Sequence, residues 1–157
     1  IRNNIQFGLN ATSQLNEDDL IDVTKKAHVY HNIKGFTDQF DTLLGERGVN
    51  LSGGQKQRIS IARALIRKPN ILILDDCLSA VDTETEDTIL SNFKSLKDVT
   101  TLIVSHRISS IRNASKIINI EAGTKTEEGT HEALLQLNGA YAELYHKQLA
   151  EEIEKNQ

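Results

Sequence analysis

The chain of 157 residues is long enough for one domain with a substantial core, and 38% of its residues are hydrophobic, an ordinary share for a globular protein. The formal net charge of −4, without a basic stripe, argues against nucleic acid as a partner. No apolar run reaches the roughly 18 residues of a membrane-spanning helix, and the single cysteine, Cys77, excludes an internal disulfide and fits a reducing compartment.

The first third of the chain is predicted to be mostly helical. Asn16 is placed to cap a helix whose first turn carries three acidic residues, which suit the positive end of the helix dipole. Apolar residues at helical spacing predict one continuous helix that ends at Gly35. The residues with this spacing are Leu20, Val23, Ala27 and Tyr30. A short helix and a turn are expected over residues 36–44.

A further helix is predicted to begin after Ser52, which is a good N-cap residue. Gly53 and Gly54 follow it and would let a ligand approach the backbone closely. Because the first turn of a helix has unpaired N–H groups and the positive end of the dipole, this segment suits an anion such as a phosphate. A serine followed by two glycines is more often only a helix cap, so the interpretation depends on its surroundings. The helix is expected to end before Pro69.

Two carboxylates follow an apolar strand in the middle of the chain. Four consecutive aliphatic residues, 71–74, predict a strand that is buried on both faces of a parallel sheet. Asp75 and Asp76 come at its carboxyl end, where ligands bind in open α/β sheets. One carboxylate there could hold Mg²⁺ through water, and a second could orient an attacking water. A plain strand followed by a turn is the alternative.

A second buried strand is predicted over residues 100–105, after a helix that Thr83 could cap. His106 follows this strand and would share a sheet edge with Asp75 and Asp76 if the strands run parallel, although a lone histidine is more often structural. Further on, a strand over residues 116–121, a turn, a helix capped by Thr130 and a last, increasingly charged helix are expected.

The order and spacing of these segments resemble the nucleotide-binding domain of ABC transporters, and most of all its exporter branch, over almost the whole chain. The segments are Leu51-Ser52-Gly53-Gly54-Gln55-Lys56-Gln57-Arg58, Ile71-Leu72-Ile73-Leu74-Asp75-Asp76, Ser79-Ala80-Val81-Asp82 and Ile103-Val104-Ser105-His106. The resemblance implies an α/β fold with a P-loop NTPase-like parallel sheet and a helical subdomain. Residues 1–60 would be the helical subdomain with the signature motif, and residues 61–157 the carboxyl-terminal part of the ATPase core with its terminal helices.

The resemblance also implies an ATP hydrolase that uses ATP and Mg²⁺, and it implies roles for single residues. Two such domains would dimerise head to tail, as a homodimer or a heterodimer. The signature of one subunit would then complete the ATP site of the other through Ser52, Gly53, Gly54 and Gln55.

The remaining roles belong to the chain's own ATP site. Asp75 would hold Mg²⁺ by way of water, Asp76 would orient the attacking water, and His106 would hold the terminal phosphate. Asp82 would couple the two sites of the dimer.

The sequence lacks one loop that the family carries, and this absence bears on what the rest of the protein contains. No Gly-x-x-x-x-Gly-Lys-Ser/Thr loop is present, so the chain is interpreted as the carboxyl-terminal portion of a longer protein and is expected to be inactive alone. A membrane domain is expected upstream, with the parent protein at the cytoplasmic face of the cell membrane and the fragment itself soluble. Gly45-Glu46-Arg47-Gly48 would lie near the contact with that membrane domain.

Asp76 stands where most active family members carry glutamate. A displacement of about 1 Å at a catalytic group can cost about 10²-fold in rate, and aspartate is one methylene shorter. In one interpretation, the site works with a short carboxylate. In the other, which the short side chain favours, this subunit's own site is degenerate and the subunit only supplies its signature. A soluble ABC-type ATPase is a further alternative, although the exporter-like segments argue against it.

Overall fold

A computed structural model describes residues 1–9, 15–45, 49–96 and 98–155, and these form two compact units, Ile1–Val104 and Ser105–Gln157. The first unit contains α1 (Arg2–Gln6), α2 (Glu17–Lys26), α3 (Tyr30–Lys34), a 3₁₀ helix (Gln39–Asp41), α4 (Gly53–Leu65), β1 (Ile71–Asp75), α5 (Thr83–Lys94) and β2 (Thr100–Val104). The second contains α6 (Ile108–Ile111), β3 (Ile117–Glu121), β4 (Thr124–Gly129), α7 (His131–Leu137) and α8 (Ala140–Lys155). A subdomain boundary at residue 60, which lies within α4, stays a prediction.

Strands β1 and β2 form a parallel pair, as the sequence predicts. Their register runs from Ile71 opposite Thr100 to Asp75 opposite Val104. A parallel pair needs a crossover connection, and α5 supplies it here. The pairing therefore places the carboxyl ends of both strands at one edge of the sheet.

The prediction that β1 is buried on both faces is wrong for the described residues, and the predicted burial of β2 is only partial. Leu72 and Leu74 are only 2% and 3% exposed, whereas Ile71 and Ile73 are 64% and 62% exposed. Side chains alternate between the two faces of a strand, and the helices of this unit cover one face only. In β2, Leu102 and Val104 are likewise more than half exposed.

The single helix predicted up to Gly35 is in fact two helices, α2 and α3. His28 lies between them with φ 52°, in the left-handed region. The N–H of His28 donates to the carbonyl of Lys25 and the N–H of Val29 donates to that of Thr24, which is the Schellman arrangement of a helix end. The apolar spacing hides this break, because Val29 is itself buried just beyond it. The predicted Asn16 cap is confirmed by its 3.0 Å hydrogen bond from the Asp18 N–H.

The core of the first unit lies between its helices and one face of the β1–β2 pair. Its most deeply buried aliphatic residues come from six different elements, and each is 2% exposed or less. They include Ile5, Leu20, Ile33, Ile61, Ile89 and Leu72. Burying such a side chain contributes about 1.5–3 kcal/mol, so this shared core fixes α4 and β1 in one rigid arrangement.

The second unit is built on an antiparallel hairpin with helices beside it. Strands β3 and β4 pair across a two-residue turn, in which Ala122 and Gly123 both have positive φ angles, 49° and 78°. That geometry matches the turns that connect two-residue hairpins. The predicted Thr130 cap of α7 is confirmed, since its side chain accepts a hydrogen bond from the Ala133 N–H. Among the described residues, no helix is long and apolar enough to cross a bilayer.

Candidate nucleotide site

Helix α4 begins with a capping box built from Ser52 and Gln55. The Ser52 Oγ accepts a hydrogen bond from the Gln55 N–H at 3.2 Å, and the Gln55 Oε1 accepts one from the Ser52 N–H at 3.0 Å. These bonds use an acceptor site on each side chain, so neither consumes the hydroxyl proton of Ser52 or the amide protons of Gln55. Both side chains can therefore cap the helix and still donate to a phosphate oxygen.

The two glycines of this segment lie against the chain's own loop after β1. A Cβ at Gly54 would stand 2.7 Å from the carbonyl oxygen of Ala80, a distance that real side chains do not adopt. A Cβ at Gly53 would stand 3.3 Å from the Cβ of Ala80. The close approach that requires glycine at position 54 is thus to the chain's own backbone. A close approach to a ligand at these glycines stays a prediction.

Asp75 and Asp76 lie where the sequence places them, at the carboxyl end of β1. Both residues are exposed to solvent. Asp76 has φ 46°, and its N–H continues the sheet by donating to the carbonyl of Val104 at 2.9 Å. Aspartate tolerates the left-handed region better than glutamate does, and strained backbone of this kind concentrates at functional sites. The backbone at position 76 therefore has a conformation that aspartate adopts more readily than glutamate.

These carboxylates suit Mg²⁺ better than a metal held by the protein alone. Among the residues that the structure describes, no group of three or more His, Cys, Asp or Glu side chains could hold a metal ion. Mg²⁺ prefers one or two carboxylates together with substrate phosphates and water. Two exposed neighbouring aspartates at a sheet edge fit that preference.

The side chain of Gln57 in α4 joins the helix to this loop. Its Nε2 donates to the Ser79 Oγ at 3.0 Å and to the Asp76 carbonyl at 3.4 Å, and its Oε1 accepts from the Ala80 N–H at 3.0 Å. Sequence reasoning missed this residue, because its only signal was its place in the signature segment. Nothing in a linear spacing shows which loop a glutamine reaches.

Asp82 ends the loop and begins α5. Its carboxylate accepts a hydrogen bond from the Thr85 N–H at 2.9 Å, so Asp82 is the N-cap residue and the predicted cap at Thr83 is wrong by one position. This hydrogen bond lowers the pKa of Asp82, and the positive charge of Arg58 adds to the effect. Arg58 itself donates to the carbonyls of Gly54 and His28, which ties α4 to the turn after α2.

Cys77 lies between the aspartates and the rest of the loop. Its side chain packs against the main core, and burial raises the pKa of its thiol, with a further contribution from the charges of Asp76 and Asp75. A raised pKa keeps the thiol protonated and unreactive. Cys77 is therefore a small, unreactive side chain packed at the edge of the core.

His106 belongs to the second unit, two residues after β2 ends. Its side chain is exposed, and its backbone is held by Gln148 of α8. The Gln148 Nε2 donates to the His106 carbonyl at 2.6 Å, and the Gln148 Oε1 accepts from the Ile108 N–H at 2.9 Å. The structure thus places Ser52 to Gln55, Asp75, Asp76 and Asp82 in the first unit, where Gly53 and Gly54 lie against Ala80 of the loop, and it places His106 in the second unit. Residues 46–48, expected near a membrane domain, lie outside the described residues.

Comparison with known proteins decides the family. A family model described as ABC transporter matches residues 2–79, a range that includes the capped helix and both aspartates. The chain belongs to the ABC transporter family. Its fold matches that of a bacterial Atm1-family ABC exporter with ATP bound, with a TM-score of 0.85 and 37% identity over 94% of this chain and 26% of that one.

Relatives in sequence include several ABC exporters. An uncharacterized ABC transporter ATP-binding protein of Bacillus subtilis is 47% identical over 92% of this chain and 24% of its own length. An ATP-dependent lipid A-core flippase of Desulfotalea psychrophila is 46% identical over 94% of this chain and 26% of its own. The multidrug resistance protein 4 of Entamoeba histolytica is 43% identical over 97% of this chain and 12% of its own length. The chain therefore spans about a quarter or less of the length of these ABC relatives.

Proposed function

We propose that this chain supplies the signature and hydrolysis segments of the ATP-binding domain of an exporter-type ABC transporter. The transporter couples ATP hydrolysis to transport across a membrane. One observation carries the proposal: a capped, glycine-rich helix start packs directly on the loop that bears two exposed aspartates. The likeness to an ABC exporter with ATP bound supports it.

The chain's own ATP site would use the carboxylates after β1 and the histidine after β2. Asp75 would hold Mg²⁺ through water, and the ion, when bound, supplies positive charge that offsets the charge of the phosphates. Asp76 would accept a hydrogen bond from the attacking water and orient it. His106 would donate to the terminal phosphate. In phosphoryl transfer such positioning and charge stabilisation account for most of the catalysis.

The signature segment would act on the ATP site of a second nucleotide-binding domain, whether an identical or a different chain. Ser52, Gly53, Gly54 and Gln55 would present the start of α4 to the partner's phosphate, and the positive end of a helix favours that anion. Asp82, beside this segment, would couple the two sites. A membrane domain of the same protein would place the assembly at the cytoplasmic face of the cell membrane.

A second candidate is a subunit whose own site is degenerate and which supplies only its signature. The observation that favours it is the aspartate at position 76, one methylene shorter than the family's usual glutamate. The left-handed backbone of Asp76 supports a working site instead, because the loop is built around an aspartate. We therefore place this candidate second.

The test is Mg²⁺-dependent ATP hydrolysis by the complete protein that contains this chain, reconstituted in lipid. We expect hydrolysis, and we expect His106→Ala to lower turnover more than it weakens ATP binding. His146→Ala, in the exposed part of α8, is the matched control. A complete protein without Mg²⁺-ATPase activity would overturn the proposal, and loss of ATP binding with unchanged turnover would overturn the role of His106.

The 157-residue chain by itself should not turn over ATP, because it contains no phosphate-gripping Gly-x-x-x-x-Gly-Lys-Ser/Thr loop. A steady-state assay of the purified chain with Mg²⁺ measures this. Turnover similar to that of a complete ABC ATP-binding domain would contradict the expectation.

A further inference from the structure

The bridge made by Gln57 fits a primary amide and no other side-chain group of that size. The N–H of Ala80 can only donate a hydrogen bond, and the carbonyl of Asp76 can only accept one. The Gln57 amide offers an oxygen to the first and an N–H to the second, at 3.0 Å and 3.4 Å. A carboxylate would set an acceptor against the Asp76 carbonyl, and an aliphatic group would bond neither.

A second path runs from Gln57 to Asp76 through Ser79. The Gln57 Nε2 donates to the Ser79 Oγ at 3.0 Å, and the Ser79 Oγ donates to the Asp76 carbonyl at 2.9 Å. The same carbonyl therefore receives one hydrogen bond directly from Gln57 and another from the Ser79 hydroxyl, to which Gln57 also donates. Because the carbonyl belongs to the residue whose backbone lies at φ 46°, these bonds hold the loop in its left-handed turn.

Close packing makes this link stiff. One turn before Gln57, Gly54 lies so near the loop that an added Cβ would stand 2.7 Å from the Ala80 carbonyl oxygen. The start of α4 and the loop from Asp76 to Ala80 thus touch through backbone atoms and are also joined by the Gln57 side chain. A shift of one is transmitted to the other.

We propose that Gln57 is a positioning residue that couples the signature helix to Asp76 within one chain. The inference rests on the proposed function. There the start of α4 faces the partner's ATP, whereas Asp76 serves the chain's own ATP. Gln57 then relays the state of one ATP site to the carboxylate of the other.

The test compares Gln57→Leu with the unaltered complete protein in a Mg²⁺-ATPase assay. We expect kcat to fall at least tenfold while the KM for ATP changes less than threefold, because the change moves Asp76 and leaves ATP binding intact. Gln136→Leu, the same change at an exposed position of α7, should leave both constants within twofold of the original. Circular dichroism and Tm measured on each variant show that it is folded.

Two further variants separate coupling from a merely structural role. Ser79→Ala removes the relayed bond, and combined with Gln57→Leu it should lower kcat by less than the product of the two single losses, since both act on one network. Gln57→Glu keeps the acceptor for Ala80 but loses the donor, so it should lower kcat by an intermediate factor. If Gln57→Leu does not fold, Gln57→Glu still tests the inference.

The outcomes distinguish this inference from the function on which it rests. An unaltered protein without ATPase activity would overturn the proposed function, and the inference with it. An active protein in which Gln57→Leu and Gln57→Glu keep kcat within twofold would overturn the inference alone. The inference would also be overturned if the double variant lost kcat by the product of the two single losses, or if the variants raised KM without lowering kcat.

Discussion

Asp76 shows most clearly how single residues set the chemistry of this site. Its carboxylate is short for its position, yet its backbone takes a left-handed conformation that suits aspartate, and its carbonyl is held by Gln57 and Ser79. At this scale the sequence predicted what depends on neighbours in the chain, such as the Ser52 cap. It did not predict the Gln57 bridge, because 19 residues separate Gln57 from Asp76 and only the folded core brings them together.

Substitution of Asp76 tests whether the short carboxylate works. We expect Asp76→Asn to lower the ATPase rate of the complete protein by about 10²-fold or more, because it removes the charge that orients the attacking water in the proposed mechanism. Asp76→Glu should lower it about tenfold, equivalent to ~1.4 kcal/mol of barrier, because a longer side chain overshoots in a loop shaped for aspartate. Asp38→Asn, an exposed aspartate on another loop, is the control.

The opposite results would support the other interpretations of Asp76. More than half of the ATPase rate surviving in Asp76→Asn, with a different chain co-purifying as partner, would establish the degenerate-site candidate. A tenfold gain in Asp76→Glu would show that reach is the only defect of the site.

Among the elements, the β1–β2 pair shows where prediction from sequence stopped. The aliphatic runs predicted both strands and their parallel pairing correctly, because β-branched and aliphatic runs favour buried strands. They could not predict that only one face of the strand pair is covered. The helices of the first unit cover that face, and no described residue forms a second layer on the other. The same limit applied to the α2–α3 break, where the apolar spacing continues across a left-handed turn at His28.

Neighbouring residues of β1 should therefore differ sharply in their contribution to stability. In the 157-residue chain, Leu74→Ala should lower the free energy of unfolding by about 2–5 kcal/mol, because it opens a cavity in the core. Ile73→Ala, on the exposed face of the same strand, should cost less than about 1 kcal/mol. Urea unfolding of the two variants measures the difference, and equal losses would contradict the one-sided burial of β1.

The β3–β4 hairpin should lose stability in acid through Glu128. Its carboxylate lies 2.7 Å from the Lys116 Nζ and 2.6 Å from the Lys125 Nζ, and these partners lower the pKa of Glu128 from 4.5 to about 2. A lowered native pKa means that the stabilisation is complete above pH 4.5 and is lost as the pH falls towards 2.

Unfolding of wild type and Glu128→Gln across this pH range measures that contribution. The wild type should be the more stable of the two at pH 7, and its advantage should shrink below pH 4.5 and in 1 M salt, which screens exposed charges. Glu151→Gln in α8 is the control. A stability difference that stays constant from pH 7 to pH 2 would contradict the role of these ion pairs.

For the whole molecule, the family and the fold class could be predicted from four short segments, because their order and spacing are specific to ABC ATP-binding domains. The exporter-type relatives confirm that prediction. The sequence of a single chain does not show its partner. The signature residues lie at an exposed helix start, and their proposed role exists only in a dimer. The central claim, that this signature completes an ATP site on a second domain, therefore needs a measurement of assembly.

That measurement is light scattering of the intact ATP-binding domain with and without ATP, on wild type, Ser52→Arg and Ser60→Arg. Ser60 is exposed on the same helix two turns further on and serves as the control. We predict that ATP converts wild type and Ser60→Arg to dimers and leaves Ser52→Arg monomeric, because an arginine at the helix start blocks closure around the phosphate. ATP-dependent dimers of equal stability in Ser52→Arg and wild type would contradict the account.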